Sequence, residues 1–157
     1  MQDNICQKPT GRTQSYFGEH GDDVLCITTV ALASGKTLFA SGEIGKKPSI
    51  YLYSWDGSNF TSLCCMSGYH TKGVTQLAFS ADGKVLFSVG ADYTVAVYNT
   101  EEGSKTFGKM VTSSQGPKSS KVMHAAQYGA VGSSSYAFIT CGEKHAVAWQ
   151  LDKGSLR

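Results

Sequence analysis

A chain of 157 residues with 14 basic and 12 acidic side chains is long enough for one packed domain, or a piece of a larger one, and its net charge of +2 neither demands nor excludes an anionic partner. Eighteen glycines, three prolines and abundant Ser and Thr imply many turns and short strands, so an all-β fold is expected. No run of 18 apolar residues occurs, which leaves no membrane-spanning helix, and the first residues lack the charged and apolar regions of a secretory signal. The five cysteines are odd in number and form no CxxC pair, a pattern that fits reduced thiols in an intracellular protein.

Residues 1–14 are polar, carry Pro9 and Gly11, and read as a flexible lead-in. Ser15–Phe17 reads as the end of a strand cut off by Gly18. Four strand-like runs follow: Val24–Thr29, Thr37–Gly42, Ser49–Tyr53 and Phe60–Met66. They are separated by a Ser34-Gly35-Lys36 turn, a longer Glu43–Pro48 loop and a Trp55-Asp56-Gly57 turn. A second set comprises Val74–Ser80, Val85–Gly90 and Thr94–Asn99, with Asp82-Gly83 as a hairpin signal and a fourth strand expected near Lys105–Val111. Thr112–Lys121 reads as a Ser/Gly/Pro/Lys loop. A third set runs through Val122–Tyr128, Tyr136–Gly142 and His145–Leu151, with a turn at Gly132–Ser135, and the chain ends at Arg157 where a fourth strand is due.

The three sets align on a glycine that ends the second strand: Phe39-Ala40-Ser41-Gly42, Phe87-Ser88-Val89-Gly90 and Ile139-Thr140-Cys141-Gly142. An aromatic then closes each third strand at Tyr53, Tyr98 and Trp149. The glycines lie 48 and 52 residues apart, a little above the roughly 40–45 of WD-type propeller blades. The chain resembles the WD-repeat β-propellers in this respect. The resemblance implies three four-stranded blades over 15–157, approximately 18–66, 69–111 and 116–157, as a segment of a larger propeller. In the second blade it implies a hydrogen-bonded set of His70, Ser88, Asp92 and Tyr98, although Tyr69 stands for the usual Gly and Tyr98-Asn99 for the usual Trp-Asp. The first blade keeps His20, Ser41 and Tyr53, but its turn carries an insertion with no Asp; the third keeps Thr140 and Trp149.

Two short stretches are similar to blades of the echinoderm microtubule-associated-protein-like family: Ser41-Gly42-Glu43-Ile44-Gly45-Lys46-Lys47-Pro48-Ser49-Ile50, and Ile139–His145 followed by Trp149. The amino-terminal hydrophobic motif of that family is not in this sequence. The resemblance implies a non-catalytic protein-interaction module, a cytoplasmic and cytoskeletal location that extends to cilia or flagella, and tubulin or microtubules as partner. Since propellers close with about 4–8 blades, the remaining blades are expected from the parent chain or from other copies.

Other chemistry has weaker support. Ser34-Gly35-Lys36-Thr37 ends like a phosphate-binding loop, but a strand follows where that motif requires a helix. The cysteines and His20, His70, His124 and His145 lack the close pairing of metal ligands, and neighbouring Cys64 and Cys65 point to opposite faces of a strand. Ser88, His70 and Asp92 look like a catalytic triad, yet in a blade they lie between packed sheets, where such a network stiffens the fold. No catalytic residue, cofactor or metal is therefore expected. Between Glu102 and Glu143 lie Lys105, Lys109, Lys118 and Lys121 and no acid. With Lys46 and Lys47 they are the candidate partner-facing residues for an acidic protein surface. They make a poor nucleic-acid footprint, because aromatics do not interleave them. The alternative function is a general WD-repeat scaffold or adaptor in a multiprotein complex with no microtubule role.

Overall fold

The computed structural model describes residues 16–116, 122–130 and 135–157. It contains three four-stranded antiparallel sheets and, among the described residues, no helix. The first is β1 (Val24–Ala31), β2 (Thr37–Glu43), β3 (Ser49–Trp55) and β4 (Phe60–Ser67). The second is β5 (Val74–Phe79), β6 (Val85–Gly90), β7 (Thr94–Asn99) and β8 (Met110–Gln115). The third is β9 (Val122–Ala130), β10 (Ser135–Gly142), β11 (His145–Asp152) and β12 (Ser155–Leu156). Strands follow one another as meanders, so each sheet is built from local hairpins. The first strands β1, β5 and β9 pack side by side, and the later strands fan away from them. This is the arrangement of consecutive propeller blades.

The turns form for reasons visible in the residues. Ser80 and Asp82 clasp the β5–β6 hairpin: the Ser80 hydroxyl donates to Asp82 at 2.6 Å, and the Val85 amide donates to the Ser80 hydroxyl at 3.1 Å. In the β3–β4 turn Asp56 accepts from the amides of Ser58 and Asn59 at 2.8 and 2.7 Å, an Asx turn. The Gly35-Lys36-Thr37 stretch is a hairpin turn in which the Leu32 amide donates to the Lys36 carbonyl at 2.8 Å, and no helix follows it.

The apolar core lies between sheets. Leu38, Ala40, Ile50, Leu52 and Met66 of the first sheet pack on Leu77, Phe79, Leu86, Ala96 and Tyr98 of the second. On its other side, Phe87, Val89, Val95 and Val97 pack on Phe138, Trp149 and Leu151 of the third, with Phe87 and Phe138 stacked at 4.6 Å. Both faces of the second sheet are thus covered, and every residue of β6 is buried. In β1 exposure alternates, because one face meets the second sheet and the other does not.

Several expectations need correction. The fourth strand of the second sheet is Met110–Gln115, not Lys105–Val111, so this sheet runs past 111 and takes residues 112–115 from the expected loop. Asn99 causes the shift. Its side-chain amide donates to Ser104 at 3.0 Å and Thr106 at 2.6 Å, which gathers 100–109 into turns before β8 begins. Tyr16 and Phe17 are not in a strand; Phe17 instead packs on Tyr53 with ring centroids 4.8 Å apart. The strand due at the carboxyl end is the two-residue β12, paired to Leu151 and Asp152. The 1–14 lead-in, Ser15, most of the Gly132–Ser135 turn, and Lys118 and Lys121 lie outside the described residues.

Candidate functional site

The densest polar constellation lies at the end of the second sheet where β6 turns into β7. His70 is buried, and its Nε2 stands 2.7 Å from the Ser88 hydroxyl. Its Nδ1 stands 2.9 Å from the Thr94 hydroxyl and 3.4 Å from Asp92 Oδ1. The Thr94 hydroxyl donates to Asp92 at 2.5 Å, and the other carboxylate oxygen accepts from the Thr71 amide at 2.7 Å. One protonation state satisfies every group: a neutral imidazole with its proton on Nδ1, accepting from Ser88 and donating to Thr94. Burial holds His70 below its ordinary pKa, against the opposing pull of Asp92. Burial pushes Asp92 the other way, but hydrogen bonds from Thr94 and Thr71 and the nearby His70 outweigh it and bring the carboxyl to about 2.

Glycine at the aligned position makes this geometry feasible. A Cβ on Gly90 would collide with the His70 ring and the Asp92 carboxylate; on Gly42 it would meet Val74 at 2.7 Å, where β5 crosses the end of β2.

The expected set is brought together except for Tyr98. Its ring is buried in the core, but its hydroxyl makes no hydrogen bond among the described residues. Trp149 in the third sheet shows the difference: its indole N–H donates to the Thr140 hydroxyl at 2.9 Å. An indole N–H leaves the side of the ring, whereas a phenol carries its hydroxyl at the tip, so the two rings present their donors at different places. Thr94 and Thr71 complete the set in its place; the Asp92-Tyr93-Thr94 spacing, with a hydroxyl two residues beyond the acid, was the available signal.

The first sheet holds a parallel network, of which His20 and Ser41 were expected from the sequence and the acidic member, Glu43, was not. His20 stands 2.7 Å from the Ser41 hydroxyl and 2.8 Å from Glu43, the last residue of β2. Glu43 also accepts from the Gly21 amide at 3.0 Å and the Ser49 amide at 2.9 Å. Burial raises its pKa, and the hydrogen bonds from His20, Ser49 and Gly21 lower it further than burial lifts it. The turn lacks an Asp, but Glu reaches the same ring from an earlier position with one more methylene.

Chemically these sets hold strands together. Ser88 is fully buried, so no substrate reaches it. Cys26 and Cys64 are free thiols pushed up to about 11 by burial, which suits packing rather than reactivity. Among the described residues no three His, Cys, Asp or Glu side chains are grouped to hold a metal.

The candidate basic residues fall on two rims. Lys46 and Lys47 are exposed on the β2–β3 loop, at the end of the sheets that also carries the β6–β7 turn. Lys105 and Lys109 are exposed on the β7–β8 loop, which antiparallel order puts at the opposite end. There Lys36 pairs with Glu102 at 2.5 Å, linking the first and second sheets, and Lys84 pairs with Glu101 at 2.8 Å.

Comparison with known proteins agrees with this architecture. Residues 60–99 match the family model described as WD domain, G-beta repeat. Elongator complex protein 2 of Rattus norvegicus is 31% identical over 90 residues, which are 57% of this chain and 10% of that protein. The Mus musculus protein of the same name is 28% identical over 94 residues, 59% of this chain and 11% of that protein. The chain thus spans about a tenth of the length of these curated relatives. The crystal structure of Saccharomyces cerevisiae Sqt1 superposes with a TM-score of 0.67 at 19% identity, over 90% of this chain and 35% of that one, a likeness of fold. The chain has a WD40 repeat and a β-propeller-like fold. The microtubule-associated family resembled by 41–50 and 139–149 is not among these relatives.

Proposed function

We propose that the chain is a non-catalytic protein-interaction scaffold, a set of WD-repeat blades that holds partners in a multiprotein complex. One observation carries this reading: the groups able to do chemistry, His20, Glu43, His70, Ser88 and Asp92, are turned inward and spent on one another. What remains for recognition is the loops at the two rims, on a rigid frame. The name of the Elongator relatives, which places them in a complex, supports the general scaffold over the cytoskeletal role.

The partners include further blades. Phe39, Tyr51, Tyr53 and Phe60 lie on the face of the first sheet turned away from the second, and Ile27 beside them is 69% exposed. Another blade covers that face, from the same polypeptide or from another copy.

A second reading, a microtubule-associated module of the cytoplasmic cytoskeleton, draws on the motif at 41–50 and the exposed Lys46 and Lys47 within it. Affinity purification of the tagged protein at two salt concentrations separates the two. Under the first reading a defined set of subunits co-purifies in fixed ratio. Salt-sensitive pelleting with microtubules, with tubulin as the dominant partner, would replace the first reading with the second. A protein that recovers neither contradicts both.

A further inference from the structure

A cavity of about 370 Å³ opens between the first and second sheets at their outer side. Its volume is within the roughly 300–1,000 Å³ of ligand sites. Met66 and Tyr98 belong to the buried core and line it from within, and Tyr69, Ser67, Lys109 and Met110 line it further out. Three features set it apart from an ordinary gap between blades.

The first is charge. Lys109 is the one charged residue in the lining, which also includes the hydroxyl-bearing Tyr69, Tyr98 and Ser67; no acidic side chain lines the cavity among the described residues. The Tyr98 hydroxyl, released from the hydrogen-bonded set of its own blade, has no partner among the described residues. Burial, with the Asp92 carboxylate and the neighbouring Tyr69, pushes its pKa up to about 12, so it stays a donor.

The second is apolar surface. Met110 is 47% exposed and the adjoining Val111 39% exposed, at the start of β8. Two methionines, one deep and one outer, give a lining that adapts to the shape of an inserted side chain.

The third is a held position. The Asn99 amide donates to the Lys109 carbonyl at 3.0 Å and the Gly108 amide to the Asn99 carbonyl at 2.8 Å, so the turn that carries Lys109 is fixed. Gly108 has φ +72, and a Cβ there would meet Cys64 Sγ at 3.1 Å, so this turn lies close against β4. β4 is the outermost strand of its sheet and, among the described residues, pairs only with β3, which leaves its far edge available to an extended backbone.

We infer that this cavity is a docking site for an extended peptide segment that carries an acidic residue beside a large apolar one. The apolar side chain enters between Met66, Met110 and the Tyr98 ring. The carboxylate meets Lys109 and the tyrosine hydroxyls, and the peptide backbone runs along the open edge of β4. The inference rests on the scaffold reading and gives it a partner class and an address.

The four methionines supply the test. The full chain, labelled with methyl-13C methionine, is titrated with ten-residue peptides that pair Asp or Glu with Leu or Phe, and with counterparts in which Lys replaces the acid. The acidic-apolar peptides move the Met66 and Met110 methyl signals, while the lysine peptides do not. Lys109→Glu weakens binding about tenfold or more, through loss of one attraction and gain of one repulsion. Lys105→Glu, in the same turn but outside the lining, leaves it unchanged. Stationary Met66 and Met110 signals, equal binding of the lysine peptides, or an unaltered Lys109→Glu variant would each overturn the site. If the Lys109→Glu protein still recovers the wild-type set of partners in affinity purification, the site falls and the scaffold stands. If the wild-type protein recovers none, the scaffold reading falls first.

Discussion

His70 and Asp92 are the most heavily hydrogen-bonded side chains of the buried polar set in the second sheet. Each is buried or nearly so and answers to several partners, so truncation strands the others. His70→Ala or Asp92→Ala is expected to cost about 1–3 kcal/mol, read from urea unfolding. The pH dependence follows from the two shifts. His70 is held below its ordinary 6.5, so the unfolded chain binds a proton in a range where the folded one does not. Its contribution is complete above that value and declines as pH falls from it toward the folded pKa. Asp92 is lowered from 3.8 to about 2, so its contribution is present above the ordinary carboxyl range and is lost as pH falls through that interval. Stability measured against pH should therefore decline in two stages, and Asp92→Asn should remove the lower one while leaving the upper. A single decline unaltered by that substitution would contradict the assignment. Glu43→Ala is the matching test in the first sheet: it strands His20 and the amides of Gly21 and Ser49, and a cost of about 1–3 kcal/mol is expected.

At the scale of elements, Asn99 is the residue to change. It organises the 100–109 turns through Ser104 and Thr106, and β8 begins where those turns end. Asn99→Ala should cost about 1 kcal/mol and speed amide exchange in β8 while β5 and β6 keep their protection. Uniform acceleration across the sheet would show that the turn does not act locally. The case also shows what a sequence yields. Strands bounded by Asp82-Gly83 or Asp56-Gly57 were legible, because alternation and turn chemistry are local. β8 was misplaced because a side-chain cap, invisible to periodicity, moved its start from Lys105 to Met110. Glu43 was not legible because the repeat pattern places an Asp after the strand, whereas here the carboxylate is the strand's own last residue. The separation of Lys46 and Lys47 from Lys105 and Lys109 follows from counting hairpins, once β8 is correctly placed.

For the molecule as a whole, the second sheet is the keystone because apolar cores cover both of its faces. Phe87→Ala, which opens a void against Phe138, should cost about 3–5 kcal/mol, more than any polar change above. The outer face of the first sheet, with Ile27 exposed and Phe39, Tyr51 and Phe60 beside it, is where the further blade proposed above would pack. Buried polar sets hold the blades in shape, and the rims are the proposed partner-facing surfaces. The measurement that tests this division most directly follows folding free energy and partner recovery side by side in Ser88→Ala. The prediction is a lower unfolding free energy together with the same co-purifying subunits at temperatures where the variant is folded. Unchanged stability with loss of the partners would mean that the His70–Ser88–Asp92 constellation is itself the functional site.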